Sequence, residues 1–227
     1  QDGENKIQFY ARRPKHGMEA VIGLNQLKER LREAVRDFQR NDGNGILLTG
    51  DPGNGKSFIA EALAGEMGWN FLEARANELT SKWVGETTER VVQIFRDARA
   101  QAPVVLFLDE FDSFMTDRSA MGGDGGSAGL DQRNAANALL TAISDLNKGF
   151  DRHRVLVIAA SNFRDQLDEA GIREGRFDVK VVVPPPDFEA RLHLILSHLP
   201  KSAKVDLDSV RIAVRRWEDW SAARIRQ

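Results

Sequence analysis

Apolar residues follow two rhythms along this chain. Short unbroken runs occur at Ile46-Leu47-Leu48-Thr49, Val104-Val105-Leu106-Phe107-Leu108, Val155-Leu156-Val157-Ile158-Ala159 and Val179 to Val183, with a shorter one at Phe71-Leu72-Glu73-Ala74. Runs of strand length without alternation are expected of strands covered on both faces, as in a parallel sheet. Between them, apolar positions recur at helical spacing. Leu27, Leu31, Val35 and Phe38 mark a helix from Leu24, which Asn41-Asp42-Gly43-Asn44-Gly45 breaks. Ser57 to Met67 reads as a second helix with Gly68 as its stop, and Val91, Phe95 and Ala98 mark a third over Thr87 to Ala100, ended before Pro103. Leu139, Ala142 or Ile143, and Leu146 mark a fourth over Asp131 to Asn147. Five strands separated by helices predict an α/β fold, a five-stranded parallel αβα sandwich with right-handed crossovers.

The pattern also divides the chain. Residues 1–18 are polar, carry Arg12, Arg13, Lys15 and His16, and read as an arm or mobile linker. Residues 19–186 form the sandwich, closed by Pro184-Pro185-Pro186, and residues 187–227 read as helices only, a small lid. Met121 to Leu130 is Gly-rich and expected to be mobile. No repeat is visible.

Composition narrows the classes. With Lys+Arg 32 against Asp+Glu 34 the net charge is -2, so no global basic field advertises nucleic acid. Cys is absent, which removes disulfides and thiolate zinc sites and is compatible with a reducing cytosol. No apolar run approaches the ~20 residues that span a bilayer, and no signal-peptide pattern is present, so a cytoplasmic location is expected. The chain opens on Gln1 and stops at Gln227 inside a helical-looking run, and is read as a fragment.

The chemistry centres on Gly50-Asp51-Pro52-Gly53-Asn54-Gly55-Lys56-Ser57, which fits G-x-x-x-x-G-K-[ST] between a predicted strand and a predicted helix. A helix N-terminus there offers unpaired N–H groups and a partial positive charge, and the glycines let the backbone wrap an anion. Lys56 is expected to reach the β- and γ-phosphates, and the Ser57 hydroxyl to bind Mg²⁺. Phe58 follows at the start of the helix and is grouped with the nucleotide contacts.

Leu106-Phe107-Leu108-Asp109-Glu110 is an apolar strand ending in two carboxylates. Alone, such an end is as readily an ordinary turn; with a phosphate loop upstream, it belongs at the same edge of a parallel sheet, where ligands bind. Asp109 is expected to hold Mg²⁺ through its water shell, and Glu110 to polarise the attacking water. Asn162, after the fourth strand, is placed to orient water or touch the γ-phosphate. Arg173 and Arg176 stand three residues apart before the fifth strand; by composition alone they are surface charge.

In that order and spacing, Gly50–Ser57, Asp109-Glu110, Asn162 and Arg173…Arg176 resemble the AAA ATPases, and Gly175-Arg176-Phe177-Asp178 resembles the second region of homology of the AAA clade proper. The resemblance runs from about Glu19 to the C-terminus. It implies ATP with Mg²⁺, a ring of six subunits in the family's manner, and Arg173 with Arg176 acting in trans on a neighbour's ATP. Lys82-Trp83-Val84-Gly85-Glu86 looks like the first pore loop of the katanin, spastin and endosomal-sorting disassembly branch, implying that Lys82, Trp83 and Val84 grip polypeptide in a channel. Gly122 to Gly129 falls where such proteins carry a second pore loop. The family further suggests adenine contacts from Ile22-Gly23, Ile195 and His198.

Departures are visible. Asp51 and Asn54 replace Pro and Thr, which backbone-made contacts should tolerate. Glu174 replaces the Pro between the arginines. Ser221-Ala222-Ala223-Arg224 stands where Ser-Gly-Ala-Asp is usual; Arg224, with Ala223 before it, resembles the sensor-2 arginine of Clp-type unfoldases, or is an exposed helix arginine. The expected function is an ATP-hydrolysing motor that remodels, unfolds or disassembles proteins. The alternatives are a Rubisco-activase-like remodeller, a nucleic-acid machine such as a clamp loader or initiator, and an ATP-gated binding module. The client lies outside what these residues encode.

Overall fold

The apolar runs form five strands: β1 (Gly45–Thr49), β2 (Asn70–Arg75), β3 (Val104–Asp109), β4 (Val155–Ser161) and β5 (Phe177–Val182). In this computed structural model, residues 8–79, 86–115, 127–150, 152–162, 175–199, 206–217 and 220–225 are described. All five strands pair in parallel, in the order β2-β3-β4-β1-β5. Five parallel strands between helices is the fold class the pattern predicts.

Side-chain alternation explains why the runs are unbroken. In β3, Val104, Leu106 and Leu108 enter one core while Val105 and Phe107 enter the other; β4 divides the same way, Val155, Val157 and Ala159 against Leu156, Ile158 and Ala160. Successive residues point to opposite faces, so a strand covered on both sides must be apolar at every position. The first core is roofed by α4 (Glu86–Ala100) and α6 (Ser127–Lys148), through Val91, Phe95, Leu139 and Ile143. The second is roofed by α1 (Asn25–Gln39) and α2 (Lys56–Glu66), through Leu31, Phe38, Ile59 and Leu63.

Two short helices, α3 (Ala76–Leu79) and α5 (Asp112–Met115), follow β2 and β3. After β5 come α7 (Phe188–His198), α8 (Leu207–Arg215) and α9 (Ala222–Ile225). Asp187 caps α7 by accepting from the Ala190 N–H at 2.9 Å, and the same carboxylate accepts from the Leu24 N–H at 2.7 Å, tying the chain before α1 to the first lid helix.

Three local expectations differ from the structure. The fifth strand begins at Phe177 rather than Val179, because Phe177 is buried against Phe111, ring centroids 5.5 Å apart. The fourth major helix begins at Ser127, so Ser127 to Leu130 are helical rather than part of a loop; residues 121–126 lie outside the described residues. Residues 8–17, expected as an arm or mobile linker, are held along the body. The Phe9 N–H donates to Asp97 at 2.9 Å, the Ala11 N–H donates to Gln101 at 2.7 Å, and Arg12 forms an antiparallel bridge with Phe71 on β2. Phe9 is buried in the first core.

This segment also crosses α2, where a Cβ on Gly65 would fall inside the His16 carbonyl oxygen. Ala is about 1 kcal/mol better than Gly inside a helix. Overpacking against backbone costs about 1–3 kcal/mol, so the clash outweighs the propensity gain. Gly65→Ala is therefore expected to destabilise the protein by up to about 2 kcal/mol in chemical denaturation and to speed hydrogen exchange at the Ala11 amide. A stabilised protein with unchanged exchange there would show that the segment yields without cost.

Candidate active site

β1 delivers the chain to the turn Gly50–Gly55, and α2 starts at Lys56. Gly55, at φ 86°, is the N-cap of α2 and brings no side chain to it. The first helical bond runs from the Ile59 N–H to the Gly55 carbonyl at 2.9 Å. The N–H groups before it have no intrahelical acceptor and open into the turn, an arrangement that suits an anion. Asn54 is buried and its Nδ2 donates to the Val183 carbonyl at 3.1 Å, so this unusual residue anchors the loop to the chain just past β5. Thr49 Oγ1 and Asn54 Oδ1 are buried without a hydrogen-bond partner, leaving polar capacity at the loop. Asp51 and Pro52 are exposed on the rim.

Lys56 is the centre of the cluster. It is buried, and its ammonium donates to the Gly50 carbonyl at 2.7 Å, the Asp51 carbonyl at 3.2 Å and Asn162 Oδ1 at 2.8 Å. Three donors meet three acceptors, as a buried ammonium requires. Burial lowers the Lys56 pKa, and the nearby Asp109, Asp112 and Asp51 carboxylates oppose that shift. Asp109, on β3, is thus close enough for its charge to be felt at Lys56.

The ends of β3 and β4 are laced together. The Phe111 N–H donates to the Ala160 carbonyl at 2.8 Å, and the Asn162 N–H donates to Asp112 Oδ1 at 3.2 Å. Asn162 is therefore held from behind by Asp112 while its side chain meets Lys56. Glu110 is exposed, at φ 55°, and its N–H donates to its neighbour's carboxylate, Asp109 Oδ1, at 2.9 Å. Ser57 Oγ donates to Glu73 Oε1 at 3.1 Å. Ser57 and Asp109 supply hydroxyl and carboxylate oxygens, the hard donors that Mg²⁺ takes, so the donor set fits that ion.

The lid reaches the loop through α9. The Ala223 N–H donates to the Gly53 carbonyl at 3.2 Å, and a Cβ on Gly53 would come within 2.7 Å of the Ala223 methyl. Arg224 is exposed, with its guanidinium 4.2 Å from the Trp220 ring centroid, and Trp220 stacks on Trp217 at 4.9 Å. Phe58 is exposed on the first turn of α2. Ile22 and Gly23 lie beside the Asp187 tie, Ile195 is half-buried on α7, and His198 Nδ1 lies 2.7 Å from the Leu194 carbonyl of its own helix.

Arg176 stands elsewhere. Its carbonyl accepts from the Gly45 N–H at 2.8 Å, which puts it at the amino end of β1, and its Nε donates to the Leu140 carbonyl at 3.1 Å. The phosphate loop is at the other end of that strand, roughly 16 Å away at the usual rise per residue. Arg173, Lys82, Trp83 and Val84 lie outside the described residues, as do Gly122 to residue 126.

Sequence reasoning missed Glu73, Asp112 and Arg12. Asp112 sits three residues past Asp109, a spacing that was legible; Glu73 is a lone carboxylate in an apolar run, and its partners are distant in the chain.

The family model for the ATPase family associated with various cellular activities (AAA) matches residues 46–185. Among curated proteins, the chain is 38% identical over 218 residues to Protein SAV of Sulfolobus acidocaldarius, covering 89% of this chain and 27% of that protein. It is 36% identical to the Cell division cycle protein 48 homolog of Archaeoglobus fulgidus, covering 91% and 28%, and 38% identical to the ATP-dependent zinc metalloprotease FtsH 3 of Sorangium cellulosum, covering 84% and 33%. The chain thus spans about a quarter to a third of the length of these relatives. A crystal structure of the FIGL-1 AAA domain in complex with ADP superposes with a TM-score of 0.80 at 29% identity, covering 99% of this chain and 74% of that one.

Proposed function

The chain belongs to the AAA family of ATPases, and on that footing we propose that it binds ATP with Mg²⁺, hydrolyses it in a ring of subunits, and uses the cycle to remodel protein substrates. The observation that carries the proposal is the convergence on Lys56 of the loop carbonyls, Asn162 and the field of Asp109. The Lys56 ammonium trades its loop carbonyls for phosphate oxygens, and the N–H groups at the start of α2 hold the same charge. Ser57 and Asp109 would hold Mg²⁺, which would supply positive charge to neutralise the phosphates. Glu110 accepts the proton of the attacking water, and Asn162 orients the γ-phosphate.

Ile22, Gly23, Ile195 and His198 flank the adenine, and α9 brings Ala223 against the loop with Arg224 next to it in the chain. We assign 19–186 to the large subdomain and 187–227 to the lid, with residues 8–17 packed on the former.

The position of Arg176 supports assembly. A side chain at the amino end of β1 does not reach phosphates held at its carboxyl end, and a head-to-tail interface brings those two surfaces together. Arg173 and Arg176 then complete the neighbour's site. No helix among the described residues is long and apolar enough to cross a membrane. The client is a polypeptide gripped at Lys82, Trp83 and Val84. Trp83→Ala is expected to keep ATPase within about threefold, because the role proposed for it is to grip polypeptide and not nucleotide, and to lose remodelling of an unfolded reporter by at least about tenfold, the size of a lost apolar hot spot. Retained remodelling with retained ATPase would remove the pore-loop assignment.

A further inference from the structure

Glu73 stands where an apolar strand has no core reason for a carboxylate. On β2, its Oε1 accepts from Ser57 Oγ at 3.1 Å, and its Oε2 takes Arg12 Nη2 at 3.1 Å. Only 16% of its side chain is exposed, so its charge needs these partners. Arg12 is itself clamped. Its backbone exchanges two 2.8 Å hydrogen bonds with Phe71, its guanidinium lies 4.8 Å from the Phe71 ring centroid, and it forks onto Glu61 at 3.1 and 3.0 Å. A line of side chains thus runs from the segment 8–17, through Glu73, to the hydroxyl of the phosphate loop.

A serine hydroxyl has one proton and two lone pairs. It serves a cation only when the proton points away, and a carboxylate behind it fixes that orientation. We infer that Glu73 is a positioning residue for Ser57, accepting the hydroxyl proton so that its lone pairs face the divalent cation, and that Arg12 holds the Glu73 carboxylate in that pose. The inference rests on the nucleotide-site reading above and adds the reason that Ser57 is directed. Carboxylates that orient metal ligands from behind are worth about 10–100-fold in metal affinity. The N-terminal segment is thereby wired to the divalent-cation step without touching nucleotide.

The test is binding of a fluorescent ADP to the full chain, titrated with Mg²⁺ and repeated in EDTA. Glu73→Leu is expected to raise the Mg²⁺ concentration for half-saturation of the ADP complex by about 10–100-fold, with affinity in EDTA within twofold of the parent. Glu73→Gln, whose amide oxygen still accepts the proton, is expected to keep a Mg²⁺ requirement near the parent's, and Arg12→Leu to raise the requirement by less than Glu73→Leu. Electron paramagnetic resonance of Mn²⁺ in the ADP complex should report the same order. An unchanged Mg²⁺ requirement in Glu73→Leu overturns the inference. So does an equal loss in Mg²⁺ and in EDTA, which marks a purely structural role, and so does an equal loss in the Leu and Gln variants. A parent protein whose ADP affinity ignores Mg²⁺ likewise overturns the inference, and one that binds ADP in neither Mg²⁺ nor EDTA overturns the nucleotide-site reading itself.

Discussion

Glu110→Gln is expected to bind ATP with the parent's affinity, within about threefold, while turnover falls by about 10²–10⁴, the range for losing a general base. The geometry separates the two effects. Lys56 makes its hydrogen bonds to Gly50, Asp51 and Asn162, and none to Glu110. Glu110 is exposed at the end of β3, and the bond its backbone makes to Asp109 survives the change. Its φ of 55° is a left-handed conformation that costs a non-glycine residue energy, and Gln meets the same cost as Glu. Stability should therefore stay within about 0.5 kcal/mol, as for exposed substitutions. Single-turnover hydrolysis beside calorimetric ATP binding checks both halves. Parent-like turnover would place the base elsewhere and favour an ATP-gated module.

Arg173→Ala is expected to lower turnover of the assembled protein by about 10³–10⁵, the worth of an arginine finger, without weakening nucleotide binding. The sharper form is a mixing experiment. Arg173→Ala subunits keep Glu110, and Glu110→Gln subunits keep Arg173. If the arginine acts across an interface, an equal mixture restores competent sites at about a quarter of the interfaces in a closed ring, although neither variant turns over alone. If it serves its own chain's ATP, mixing restores nothing. The location of Arg176 beside Gly45, at the amino end of β1, favours the first outcome. Its bond to Leu140 holds it to α6, so Arg176 is expected to position the interface more than to move within it.

The sheet was legible because Val104–Leu108 and Val155–Ala159 must be apolar at every position, and the phosphate loop because its chemistry is compressed into eight consecutive residues. What escaped was non-local. Nothing near Phe9 announces that its backbone will bond Asp97, and nothing near Arg12 points to Glu61 and Glu73. A polar composition suggested a free arm, but the carboxylates that satisfy those polar groups lie some fifty to ninety residues away. Asp112 escaped because its bond is to a backbone N–H at Asn162, a partner that a motif does not display. Phe177 sat inside Arg176-Phe177-Asp178, a stretch whose charges hid a buried strand start.

The bridge between Arg12 and Phe71 has a further consequence, for solubility. β2 is an outer strand of a parallel sheet, and a bare outer strand is a template for pairing with another chain. Arg12 pairs with that rim and occupies Phe71's backbone groups, with its guanidinium over the Phe71 ring. The opposite rim, β5, carries Asp178 and Lys180, charges that discourage the same kind of association. The few residues ahead of the first helix therefore act as a guard strip over the Phe71 stretch of that border, leaving contact between copies to surfaces other than the backbone there.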